Sequence, residues 1–181
     1  MNVSPATFSL SFSRDNVARY ARFSLPTLLL VLSCLPSTAQ NRAEEQVNVS
    51  QQLDNLHKWA SDGDFDAYFD LYDETAIFLG TDATERWTVE EFKDYSRPVF
   101  ARGSGWTYIP TARNVYLSES GDTAWFDEML QNENLGVTRG TGVLVKRGDD
   151  WKIVQYNLTL PVPNQLAREF VGRIRALPEQ Q

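Results

Sequence analysis

The chain has 181 residues, enough for one domain with a substantial core and short for two. Seventeen basic residues against 24 acidic ones leave a net charge of −7, which disfavours nucleic acid or an anionic membrane surface as partner. One histidine and one cysteine rule out a disulfide framework and come close to excluding a His/Cys metal centre.

Residues 1–39 read as a leader. Arg14, Arg19 and Arg22 precede the apolar run "FSLPTLLLVLSCLP", and the small residues of "STA" follow, the pattern of a secretory signal cut after Ala39. Pro26 and Pro36 interrupt the run, which is short for a membrane-spanning helix; an uncut anchor, a later translation start and a lipoprotein signal at Cys34 are the alternatives. Residues 1–39 hold three arginines and one aspartate, a net +2, so the −7 of the whole chain becomes −9 without them. An exported domain lacking Cys34 has no thiol nucleophile.

Residues 40–46 form a polar lead-in. From Val47 to Ala60, apolar residues recur at Val49, Leu53, Leu56 and Ala60, one face of a helix. "SDGD" ends it, and Asp64 caps a second helix carrying Phe65, Tyr68, Phe69 and Tyr72 on one stripe. "TAIFLG" reads as a strand. "FLGTDATERW" then crosses from it to a third helix, opened by a capping box of Thr88 and Glu91, with Val89, Phe92, Tyr95 and Val99 facing inward. Within the crossing, Asp82 reads as turn chemistry and Glu85 as a rim residue.

After residue 104 the period changes to that of strands. "GWTYIPTARNVYLSES", "DTAWFDEMLQ", "GVTRGTGVLVKR" and "DWKIVQYNLTL" are four strand-like runs separated by turn residues, an antiparallel meander with a bend at Pro110. "PVPN" breaks the last strand, and Asn164 caps a final helix with Leu166, Phe170, Ile174 and Leu177 on one side. The class is α+β, with three helices packed on one face of a mostly antiparallel sheet. Trp125 and Phe126 are adjacent and must face opposite ways, so both faces of the sheet carry apolar groups. A homodimer or the final helix would cover the second face.

The order of these elements, with "FLGTDATERWT", "AWFDEML", "RGTGVLVK" and "DWKIVQYNLTLPVPN", resembles the NTF2-like superfamily and, within it, the SnoaL-like (DUF4440-type) domains, over roughly residues 45–164. The resemblance implies a cone: helices wrapped by a strongly curved sheet around a pocket open at one end. It divides the chain into a signal peptide at 1–39, the lead-in at 40–46, the domain at 47–164, and a C-terminal helix and tail at 165–181. Members of the family include isomerases, cyclases, dehydratases, hydrolases and proteins without known activity, so fold alone does not give function.

Inward-facing polar groups on the long strands are the candidates for chemistry. Asp127 and Glu128 are neighbours, so one of them faces the pocket; burial would raise its pKa and suit it to act as a general base. The plainer reading is a solvated acid, or one paired with Arg139, which is otherwise an anchor for a ligand carboxylate. Gln155 and Asn157 alternate with Trp151 and Ile153 on one face and would orient a ligand, or else form an exposed polar ladder. Trp59, Tyr72 and Trp125 would line the pocket with Glu85 at its rim, though Trp59 and Tyr72 also serve as plain core. His57 reads as a surface or helix-packing residue; in a catalytic pair it would need a strand carboxylate as partner. The leading expectation is an exported protein, periplasmic or secreted, binding a small hydrophobic molecule without cofactor or metal. Its alternatives are an acid–base isomerase, cyclase or dehydratase using a pocket carboxylate, and a non-catalytic dimeric partner-binding module.

Overall fold

A computed structural model describes residues 38–178. The leader and Cys34 lie outside the described residues, apart from Thr38 and Ala39, which open the first helix. That helix, α1 (Thr38–Asp62), starts eleven residues before Val49, the first of the apolar stripe, so the polar lead-in is helical. Polar contacts hold this extension against the sheet instead of apolar burial. Arg42 donates to the carbonyls of Leu117 and Ser118, Gln46 donates to that of Val115, and the indole of Trp151 donates to Glu45 at 2.8 Å.

Further along α1, Val49, Leu53, Leu56 and Ala60 are buried as the spacing predicts. Asp64 caps α2 (Phe65–Asp70) by accepting from the amide of Ala67, and Tyr68 and Phe69 are buried on it. Tyr72 belongs instead to the first strand, β1 (Tyr72–Leu79). The crossing contains a short strand, β2 (Arg86–Thr88), that the sequence pattern does not announce. In α3 (Val89–Phe100) the Thr88–Glu91 capping box forms as expected. Its buried face is Val89, Phe92, Ser96 and Phe100, while Tyr95 stands half exposed.

The meander comprises β3 (Ile109–Leu117), β4 (Thr123–Asn132), β5 (Gly136–Arg147) and β6 (Asp150–Thr159). The six strands lie in the order β2-β1-β6-β5-β4-β3, antiparallel except for β1 against β6. Register shifts bend the sheet in three places: beyond Pro110 on β3, between Tyr72 and Ile77 on β1, and at Val154, an extra residue on β6. The curved sheet holds the three helices in its concavity, the cone the resemblance implies.

The last helix, α4 (Ala167–Arg175), buries none of its side chains. Leu166 stands at its N-cap without a side-chain bond, so Asn164 does not cap it as expected; Asn164 only offers its carbonyl to the amide of Ala167. No helix among the described residues is long and apolar enough to cross a membrane.

Candidate functional site

Glu128 lies at the centre of the concavity. Its position on β4 alternates inward with Ala124, Phe126 and Leu130, and it is 1% exposed. Three groups converge on its carboxylate. His57 Nε2 lies 2.8 Å from Oε1, the Tyr156 hydroxyl donates to the same oxygen at 3.1 Å, and Arg113 Nε donates to Oε2 at 2.8 Å. Arg113 also donates to the carbonyl of Ser50 and to Asp54 at the surface, although its second terminal nitrogen is buried without a partner.

Room for this cluster comes from a missing side chain. A Cβ at Gly140 would fall 2.5 Å from the Tyr156 hydroxyl and 2.9 Å from Glu128 Oε1, so the glycine of "RGTG" lets three strands close around the carboxylate.

Burial pushes the Glu128 pKa up, but the bond from His57, that residue's charge and then Arg113 outweigh it and hold the carboxyl below its ordinary value. The expectation of a raised pKa is therefore corrected: Glu128 is an ionised, fully engaged anchor. Burial, and then the negative charge of Glu128, push the Tyr156 phenol well above its ordinary value, so it stays a neutral donor.

With Glu128 ionised, the proton of the His57 bond belongs on Nε2. In the neutral ring Nδ1 then carries a lone pair. It makes no hydrogen bond among the described residues, and His57 lines a recess of about 20 Å³, space for one water or the tip of a ligand. Glu128 stands behind His57 and Tyr156, outside the walls of that recess.

Phe78, Trp106, Tyr108 and Leu158 wall both the recess and a larger cavity of about 200 Å³. Near-parallel rings run along these walls: Tyr156 to Phe78 at 5.9 Å, Phe78 to Phe92 at 3.9 Å, and Trp87 to Tyr95 at 4.5 Å near the mouth. Glu85 and Thr81 join the lining there. Among the described residues no three His, Cys, Asp or Glu side chains gather as metal ligands.

The structure thus places the expected site residues unevenly. Glu128 and Glu85 meet the concavity. Asp127 points to the outer face and accepts from Asn114. Arg139 is exposed on β5 opposite Met129, so the expected ion pair is corrected to Arg113, which sits directly across from Glu128 in register. Gln155 and Asn157 face outward, because the extra residue Val154 inverts the alternation after Ile153. Tyr156 and Leu158 take the inner positions instead.

Trp125 is exposed and stacks on Tyr116 at 5.8 Å. Tyr72 is buried with its hydroxyl bonded to that of Tyr68, and Trp59 is half-buried beneath Lys58; none of these three lines the cavity. His57, expected as a surface or helix-packing residue, is buried with the strand carboxylate of Glu128 as its partner. Its signal was its spacing, four residues after Leu53 and three before Ala60. Arg113 shares its side of β3 with Val115 and Leu117, the corresponding signal there.

The sequence profile described as the SnoaL-like domain matches residues 49–163, well over half of the chain. The chain belongs to the SnoaL-like family. No curated protein matches it significantly. Solved structures agree on an NTF2-like fold. An NTF2-like protein of unknown function from Pseudomonas putida KT2440 superposes with a TM-score of 0.58 at 10% identity, covering 68% of this chain and 91% of its own. A candidate dehydratase of the NTF2-like family from Streptomyces avermitilis gives 0.56 at 14% identity, over 67% and 99%. A candidate aromatic ring hydroxylase from Novosphingobium aromaticivorans gives 0.54 at 20%, over 67% and 92%. At these identities the likeness to solved structures establishes the NTF2-like fold of this SnoaL-like chain and leaves its chemistry to the site.

Proposed function

We propose that this SnoaL-like protein binds one compact, flat and largely apolar molecule in the aromatic cavity, and that His57 exchanges a proton with it. The observation that carries the reading is the setting of His57: Nε2 lies 2.8 Å from a buried carboxylate, Nδ1 makes no hydrogen bond among the described residues, and the residue lines the recess. Glu128 fixes the tautomer and stabilises the imidazolium formed when Nδ1 takes a proton. The base is the histidine, and the carboxylate supports it. A volume of about 200 Å³ is below the ~300–1,000 Å³ of drug-sized sites, which favours a small substrate. Its apolar walls suit proton abstraction beside a carbonyl or from a ring hydroxyl, the step behind isomerisation and dehydration.

Deuterium incorporation into compact cyclic ketones, followed by NMR in D₂O, tests this. The wild-type protein should accelerate exchange, and His57→Gln should lose about 10²–10⁴ of that rate while still binding the ketone. Binding with no exchange by the wild type would leave a ligand-binding protein. Neither binding nor exchange across the panel would remove the cavity reading.

Two further parts of the proposal concern context. The leader pattern supports export, which the N-terminus of the mature protein would test, with Gln40 as the expected first residue. The exposed outer sheet face supports a homodimer.

A further inference from the structure

At the mouth of the cavity an acid sits among rings. Glu85 is held by both ends of its loop: the Gly80 amide donates to its carbonyl at 2.9 Å, and its own amide donates to Asp82 at 3.1 Å. Its side chain is fixed too, with Oε2 accepting from the Asp82 amide at 3.1 Å. Gly80 makes this possible, since a Cβ there would fall 2.1 Å from Oε2. Oε1 makes no hydrogen bond among the described residues, and of the described residues that line the 200 Å³ cavity Glu85 is the one with a charged side chain.

Trp87, Tyr95, Trp106, Tyr108 and Phe78 line the same cavity. Burial raises the Tyr108 phenol, and the charges of Tyr95 and Glu85 raise it further. Electron-rich rings and a carboxylate share one preference, for positive charge. A neutral apolar ligand would strip water from Glu85 and return nothing, and an anion would be repelled. The chain's net charge of −7 works in the same direction during encounter.

We propose that the ligand is an organic cation: a protonated or quaternary amine whose positive end rests between Glu85 and the rings at the mouth, with an apolar body reaching toward His57. This rests on the cavity being a ligand site and adds the charge of what it takes.

Benzyltrimethylammonium and its uncharged carbon isostere, neopentylbenzene, differ only in the central atom and its charge. Titrating each into the full-length protein, followed by tryptophan fluorescence at low and high salt, isolates the charge. The cation should bind at least about tenfold tighter, with salt weakening it alone. Glu85→Gln keeps an oxygen for the Asp82 amide; it should erase most of that preference while leaving the melting temperature unchanged. Equal affinities, or a preference that survives Glu85→Gln, would overturn the cation assignment and leave the cavity standing as an apolar site. Failure of both compounds to bind would overturn the assignment together with the cavity reading.

Discussion

Glu128 meets a histidine, an arginine and a tyrosine where only 1% of its surface is exposed. Removing one partner of such a cluster strands the others. Glu128→Ala would bury Arg113 and His57 without their acceptor, and should cost about 3–5 kcal/mol in urea unfolding near neutral pH. The sign of its pH dependence follows from the lowered pKa. The native state binds a proton at this carboxyl less readily than the unfolded chain, so its contribution is complete above the ordinary carboxylate range and is lost as pH falls through the lower native value. Asp73 behaves likewise: its bonds from Thr75 and then Arg147 hold it at about 2. The gap between wild type and Glu128→Ala should therefore narrow as pH falls below about 4. A gap that widened as pH fell below about 4 would show that Glu128 is protonated in the folded protein.

Elements were legible where one local rule decides them. Thr88 and Glu91 fix the start of α3 because both halves of the capping box are local, and β5 spans the same residues, 136–147, as its strand-like run. What the sequence hid is parity. A bulge adds one residue without changing composition, so "WKIVQYNLT" carries no mark that Val154 is extra, yet every side chain after it changes face. That single residue moved Gln155 and Asn157 out of the site and Tyr156 into it. The Glu128–Arg113–His57 cluster was hidden for a related reason, since its members are 15 and 71 residues apart and only the register of β3 on β4 and the seat of α1 bring them together. The final helix shows the reverse. Its stripe of Leu166, Phe170, Ile174 and Leu177 is plain in the sequence, but all four remain 47–61% exposed. Because α4 buries nothing, a chain ending at Asn164 should melt within about 2 °C of the full-length protein by circular dichroism. A larger drop would mean that the helix docks, on its own sheet or on a second copy.

At the scale of the whole molecule, the sheet has one covered face and one open one. The concave face carries the core, the buried acid and the cavity; the outer face presents Tyr116 and Trp125 stacked at 5.8 Å and both 44% exposed. Val143 and Val145 stand on the same side of β5 as the partners of Trp125 and Thr123 in register. An apolar patch on the open face of a sheet, here at its β5-β4-β3 end, is costly to leave in water, and an isologous pair lets the same patch satisfy itself. Charge opposes close approach of two copies, each at −7, so burial must supply the attraction and added salt should strengthen association. Sedimentation velocity of the full-length chain should then show a dimer of 20.6 kDa protomers that tightens with salt. Trp125→Glu, placing a like charge at the centre of the patch, should return it to monomer. Because Trp125 touches neither the cavity nor the Glu128 cluster, the monomeric variant should keep its melting transition and its capacity to bind in the cavity. A dimer that persists in Trp125→Glu would move the interface to another surface, and a wild-type monomer at every salt concentration would leave the outer face of the sheet without a second copy.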